Sequence, residues 1–355
     1  MDRFFDELSA LPNVWELLQA AEKPIALYGM GNGADKVLAA FECFGITPAG
    51  VMASDGFVRG QRFHGFTVKK LSDLECELGD FIVALSFGSQ LPEVIASIKN
   101  VAARRALVVP CVPPFGEALF DRDFISAHRD RIKEAYSLLA DEKSRRVYKN
   151  VIRFYHTGDI ALLDEITTDK DEAFSEIIKL GSEESYLDLG AYNGDTVDEF
   201  LRYTGGAYRE ITALEPNPKN FSKLKAHCAG LPRTELHQLG AWSENTTLFF
   251  NNKAGRNSAI SSAGAETPVV AADDLLKNKS VTYIKADVEG ADFETLLGLR
   301  RTLAAQKPKL NFAAYHRFED VFRLPLLINQ LNPEYKIFLR HHPYIPAWDT
   351  NLYCV

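Results

Sequence analysis

A chain of 355 residues is longer than one average domain and long enough for two units that each bury a core. With 46% hydrophobic and 25% charged residues, extended disorder is excluded for most of it, and a net charge of -8 argues against a broad nucleic-acid footprint, which needs clustered Lys and Arg. The opening residues carry Asp2, Asp6 and Glu7 and lack a continuous apolar core, and no apolar run reaches membrane length, so a soluble, cytoplasmic chain without membrane insertion is expected.

The five cysteines, Cys43, Cys76, Cys111, Cys228 and Cys354, are odd in number and contain no CxxC pair, which predicts buried, reduced thiols rather than disulfides or a zinc cluster. In chain order, Phe4, Phe5, Leu8, Leu11, Trp15 and Leu18 fall near one face of a helix-like opening segment. "PIALYGMGNGADKVLAAFECFG" reads as strand, glycine turn and helix, "PAGVMASD" as a short strand ending in Asp55, and "DFIVALSF" and "ALVVPCV" as buried strands flanking the helix "QLPEVIASIKN". This alternation predicts a parallel α/β sheet over about residues 1–125.

Residues 126–180 read as a helical linker. Asp141 with Arg145 and Glu142 with Arg146 stand at i,i+4 with the acid first, the pattern of a solvated bridge. From 181 to 355 the alternation resumes with "SYLDLG", "EITALEP", "TELHQLGAW", "VTYIKADVEG", "KLNFAAYH", "YKIFLRHH" and "NLYCV" as seven strands. Helices are expected at 196–203, 220–228 and 293–305, and "TTLFFNN" as an extra hairpin strand.

The turn after Leu187 runs Gly190, Ala191, Tyr192, Asn193, Gly194. A bulky Tyr192 stands where a pyrophosphate-binding turn needs its second glycine, which argues against a dinucleotide. A nucleoside without phosphates needs only the tight turns and carboxylates for its sugar, and Asp188, Glu215 and Asp287 each end a strand, where ligands of open parallel sheets bind. Glu215 stands 25 positions after Gly190, close to the ~20-residue offset of ribose-binding acids. Acids at strand ends also cap helices, so each one alone is ambiguous.

"YLDLGAYNGDT", "ALEPNPKNFSKL", "LGAWSENTTLFF", "IKADVEGADFETLLGL" and "YKIFLRHH...NLYCV" together resemble the FkbM family of S-adenosylmethionine-dependent O-methyltransferases over about residues 150–355. The resemblance implies a C-terminal class I methyltransferase, an α/β Rossmann-like seven-stranded sheet with the last strand antiparallel, at 181–355. A smaller Rossmann-like domain and the helical linker precede it. It implies S-adenosyl-L-methionine as cofactor, with Asp188, Gly190, Asn193, Gly194 and Asp195 around its methionine part and Glu215 on the ribose. Pro216 and Asn217 would then shape the adenine side, and Gly240, Ala241 and Trp242, ending the third strand, would cover the adenine. The implied acceptor is a hydroxyl of a sugar, glycan or sugar nucleotide. A sulfonium cation suits nearby carboxylates and the face of Tyr192.

Methyl transfer to a hydroxyl needs proximity and one general base. Asp287, Glu289, His316 and His341 (beside His342) stand at predicted strand ends, and His316 is the first choice because an ordinary imidazole titrates near neutrality. Asp287, Glu289 and His316 are also chemically adequate for a divalent metal, which is not expected for want of compact ligand spacing. For His341 and His342 an edge strand facing solvent is an equal alternative. Arg317, Arg323 and Arg340 either grip an anionic acceptor or are surface arginines, the latter favoured.

The first glycine turn, Gly29, Gly31 and Ala34 with Asp55 beyond, meets a relaxed dinucleotide pattern, but "GVMASDGFVRGQRFHGFTVKKLSDL" more closely resembles domains attached to sugar-modifying enzymes. That leaves sugar-nucleotide or partner binding and a purely structural role open, with NAD-dependent redox chemistry built on Gly29 to Ala34 as the less favoured third reading. Against the enzyme stands a non-catalytic nucleotide-sensing protein with two such domains. A homo-oligomer is compatible with either.

Overall fold

The computed structural model describes residues 1–251, 259–260, 265–277 and 279–355. Strands β1 (Ile25–Tyr28), β2 (Gly50–Met52), β3 (Arg62–Phe63), β4 (Phe66–Lys69), β5 (Ile82–Leu85) and β6 (Ala106–Val108) form one sheet in the order β3-β4-β2-β1-β5-β6. Pairing is parallel except in the β3/β4 hairpin. β1 and β5 are buried at all four positions, as continuous apolar runs in a covered parallel sheet should be. The hairpin escaped the sequence reading because two-residue β3 is too short to show a period. Its turn is built by His64 and Gly65, both with positive φ. Asp55 lies beyond β2, in a short 3-10 turn, and is exposed.

The opening helix is broken in two, Asp2–Ala10 and Val14–Gln19. Pro12 has no N–H to continue the first, and Asn13 starts the second with a capping box: Asn13 accepts from Trp15 N at 3.0 Å and Glu16 accepts from Asn13 N at 3.1 Å. Leu11 therefore leaves the shared apolar face and is exposed. Cys43 and Cys76 are exposed as well, against expectation, while the other three thiols are buried.

The solvated bridge expected near 141–157 is instead a core helix, Glu142–Thr157, which buries Val147, Tyr148, Val151, Ile152, Phe154 and Tyr155. Arg145 pairs with Glu142 at i,i+3 instead of with Asp141 at i,i+4, because Asp141 is taken: it caps the helix at Ser144 N and grips Arg340 at 2.6 Å. Ser144 accepts the backbone N–H of Leu339, and Arg153 reaches Glu7, so the helix joins both halves.

The second half contains β7 (Ser185–Leu189), β8 (Glu210–Leu214), β9 (Thr234–His237), β10 (Gly240–Trp242), β11 (Thr246–Asn251), β12 (Ala259–Ile260), β13 (Ala265–Ala271), β14 (Tyr283–Ala286), β15 (Lys309–Ala313), β16 (Ile337–His341) and β17 (Thr350–Cys354). Seven form a sheet in the order β16-β17-β15-β14-β7-β8-β9, parallel except for β17, which runs against both its neighbours, as expected. β10 belongs to a separate sheet, β10-β13-β11-β12, so "TELHQLGAW" is two strands and not one; the expected hairpin strand is β11.

Helices Asp195–Thr204 and Pro218–His227 match expectation, whereas 293–305 divides into Asp292–Gly298 and Arg300–Gln306. At the division, a Cβ on Gly298 would lie 2.0 Å from the Trp242 carbonyl, and the Asp273 carboxylate accepts Arg301 N and Thr302 N. The strand order reverses between β14 and β7, which opens a crevice at their carboxyl ends. Among the described residues no helix is long and apolar enough to cross a membrane.

Candidate active site

Gly190 follows β7 with φ +85°, and a Cβ there would stand 2.0 Å from the Asp287 carbonyl oxygen. Only glycine allows the turn after β7 to press this closely on the end of β14. The turn continues through Tyr192 at φ +47° to Gly194 at φ +101°, where a Cβ would meet His227. Gly194 caps the helix Asp195–Thr204 without a side chain; Asn193 Oδ1 receives Asp195 N at 3.4 Å, and Asp195 receives Thr196 N at 2.9 Å.

Two buried acids underlie this turn. Asp188 is fully buried; one oxygen accepts from the Thr196 hydroxyl at 2.5 Å, and its Oδ1 has no hydrogen-bond partner among the described residues. Burial lifts its carboxyl to about 7, only partly offset by the Thr196 bond and the Lys285 ammonium. Glu215 accepts Tyr192 N at 3.0 Å and Asn217 N at 2.8 Å. Burial raises its pKa while these amides oppose the rise. Asn217 spends its side-chain carbonyl on capping the helix Pro218–His227, so it shapes the site through backbone rather than side chain. Gly240 lies against Pro216, which keeps Ala241 (buried) and Trp242 (half-buried) beside the Glu215 turn even though they stand in β10.

Beyond β14 and β15 the charged side chains form a chain. His316 Nε2 lies 3.1 Å from Asp287 and 3.9 Å from Glu289, and its Nδ1 lies 2.7 Å from Asp292. The imidazole is 1% exposed, whereas the Asp287 side chain is 34% exposed and so forms the crevice end of the chain. Burial alone would lower the His316 pKa, but the Asp292 and Asp287 carboxylates raise it well above the ordinary value. Asp287 is also buried enough to be pushed upward, yet Lys285, His316 and the Tyr315 hydroxyl, 3.1 Å away, hold it well below the usual carboxylate range. Asp320 is raised to about 7, by burial first and by Asp292 next.

His316 is therefore an imidazolium with both ring nitrogens engaged, which corrects the premise that its titration is ordinary. Among the described residues, the acids and ring whose ligand atoms all lie within 4.8 Å of one another are Asp292, His316 and Asp320, all buried, rather than Asp287, Glu289 and His316, the set judged chemically adequate for a metal. Asp292, Asp320, Lys285 and Tyr315 were passed over in the sequence: the first two sit on apolar helices where acids read as surface, and Lys285 is an inward position of a strand whose pattern is dominated by its apolar neighbours.

His341 and His342 face the interior, not solvent. His341 bonds to Thr350 and is pushed down to about 4 by burial, so it is neutral; no hydrogen bond or ion pair joins it to Asp287 or His316 among the described residues. His342 bridges the Thr168 carbonyl and the Tyr353 hydroxyl. Arg340 is buried against Asp141 and Ser144, contrary to a surface role, while Arg323 lies over the Phe293 ring and Arg317 reaches the Gly290 carbonyl.

At the first glycine turn, Gly29 (φ +130°) and Gly33 are forced by Ser86, whose atoms a Cβ would approach to 2.6 and 2.2 Å. Gly31 faces open space, and Ala34 is buried in the helix Asn32–Phe44. No side-chain bond caps that helix.

Residues 188–345 match the family model of the methyltransferase FkbM domain. The crystal structure of a methyltransferase FkbM from Methylobacillus flagellatus KT is similar over 100% of this chain and 98% of that one, with a TM-score of 0.74 and 20% identity, and so has the same fold. Fibrillarin from Aeropyrum pernix, solved with natively bound S-adenosyl-L-methionine, covers 50% of this chain and 69% of its own at a TM-score of 0.33 and 14% identity. An rRNA methylase from Streptococcus thermophilus covers 52% and 92% at 0.34 and 15%. No curated protein matches the chain.

Proposed function

We propose that this chain, whose residues 188–345 match the methyltransferase FkbM domain, uses S-adenosyl-L-methionine to methylate a hydroxyl of a sugar, glycan or sugar nucleotide. The residues present fit that cofactor: Asp188 offers a buried acceptor oxygen with no hydrogen-bond partner among the described residues, and Glu215 has lone pairs to spare at the end of β8. Gly190, Asn193, Gly194 and Asp195 would enclose its methionine part, Glu215 its ribose, and Pro216, Asn217, Ala241 and Trp242 its adenine. When bound, the cofactor supplies an electrophilic methyl group on a cationic sulfur.

The observation that carries the reading is the contact between Gly190 and Asp287, which joins the cofactor turn directly to the charged chain at the next strand. Asp287 is the general base. As the acceptor oxygen gains a methyl group its proton becomes strongly acidic, so a carboxylate held below the ordinary range still accepts it. His316 orients Asp287 through Nε2 and is itself oriented by Asp292. Glu289, at the rim, helps position the acceptor.

Release of S-adenosylhomocysteine in the presence of a panel of free sugars, oligosaccharides and nucleotide sugars tests the reading. Asp287→Asn should abolish turnover while keeping cofactor affinity. Binding of the cofactor without turnover on any hydroxyl acceptor would favour the sensing alternative.

A further inference from the structure

The glycine of "DVEG" has its reason in the other half of the molecule. Glu289 and Gly290 have φ +54° and +89°, and a Cβ on Gly290 would stand 2.8 Å from the ring of Phe115. Phe115 comes from the loop that follows β6, is 4% exposed, and meets the His316 ring edge-to-face with centroids 5.6 Å apart at 77°. Its backbone N–H donates to the His316 carbonyl at 3.0 Å, and Gly116 lies against the Arg317 guanidinium. His316 is thus held by Asp287, by Asp292 and by a ring from the amino-terminal half.

The loop is tied in turn to the first glycine turn. Lys36, one turn into the helix that begins there, donates to the carbonyls of Pro113 at 2.9 Å and Pro114 at 2.5 Å. Nearby, Gly88 packs on Trp348 and Ser89 pairs with Ile345, so loops at the carboxyl ends of both sheets interlock. Between them remains a cavity of about 20 Å³, lined by Gly33, Ser86, Pro114, Tyr315 and Trp348.

We propose that the loop carrying Phe115 is one wall of the acceptor crevice, that Phe115 is a positioning residue for His316, and that Lys36 clamps the wall in place. The amino-terminal half then completes the methyltransferase site rather than serving as a separate module. This rests on the reading that Asp287 and His316 serve methyl transfer.

The test follows the His316 ring N–H signals by nitrogen-15 NMR in the full chain. The ring is enclosed, so its protons should exchange slowly with solvent. Phe115→Ala should accelerate that exchange by roughly tenfold or more and shift the ring resonances. Phe115→Leu, which keeps bulk against Gly290, should restore slow exchange. Lys36→Met should move the signals in the same direction by less, and Phe57→Ala, an exposed residue of the same half, should not move them. Ring signals in Phe115→Ala that superimpose on wild type would overturn the proposal. Should that variant not fold, unchanged signals in Lys36→Met would do so. S-adenosylmethionine affinity, measured by calorimetry, should stay within about twofold in these variants, since the wall stands on the acceptor side. A wild type that binds no cofactor would sink the functional reading, while the ring signals would still decide the wall.

Discussion

Each half of the molecule opens its sheet with a strand, a glycine turn and a helix, and the turn with the better dinucleotide spacing is the one with fewer ligand-ready groups. At Gly29–Gly33 the glycines answer to packing, since Ser86 leaves no room for a Cβ at either end, and the acid beyond the next strand, Asp55, is exposed. At Gly190–Gly194 the spacing is wrong for a pyrophosphate, yet two buried carboxylates lie beneath the turn and the backbone of a third acid, Asp287, presses against it from just beyond β14. Glycine spacing reports how closely backbones approach. The buried, partly unsatisfied acids report what the approach is for.

The comparison breaks most severely at Gly190. Gly190→Ala places a methyl group into the Asp287 carbonyl at a left-handed φ and should cost about 4 kcal/mol or more in denaturant unfolding. Asp292→Ala strips the buried His316 cation of one partner and should cost about 3 kcal/mol, with loss of turnover.

Asp188→Asn sharpens the comparison through pH. Its folded value of about 7 exceeds the unfolded value of about 3.9, so between those values the folded chain holds more protons. Stability falls as pH rises through that window and stays lowered above it. Asparagine removes the penalty, so the variant should gain about 4 kcal/mol over wild type at pH 8 and nothing near pH 3.5, while binding a cationic ligand more weakly. The smallest effect belongs to Gly31→Ala, which meets open space at negative φ and should change stability by less than about 1 kcal/mol. A large loss there would give the first turn a role beyond packing.

The parallel strands were legible because "IALY", "IVAL" and "SYLDL" are buried on both faces and read as unbroken runs. Asp188, Glu215 and Asp287 were legible because strand ends can be counted. What stayed hidden depends on long-range contact. "TELHQLGAW" contains no Pro, and its Gly240 falls inside an apolar stretch, so the step from one sheet to another leaves no punctuation. Asp292 meets His316 across 24 positions, and Phe115 meets Gly290 from the other half of the chain, encounters that only the packed fold creates. The titration of His316 is hidden from the sequence for the same reason: its partners decide it, and they are distant along the chain.

The central claim, that the crevice at β7 and β8 holds an adenosyl cofactor through Glu215, is tested most directly by calorimetric titration of wild type and Glu215→Ala with S-adenosylmethionine and with NAD. The account predicts S-adenosylmethionine binding to wild type, weakened roughly tenfold or more in the variant as a pair of ribose hydrogen bonds is lost, and no binding of NAD. Equal affinity in both proteins, or binding of NAD in place of the adenosyl compound, would contradict it.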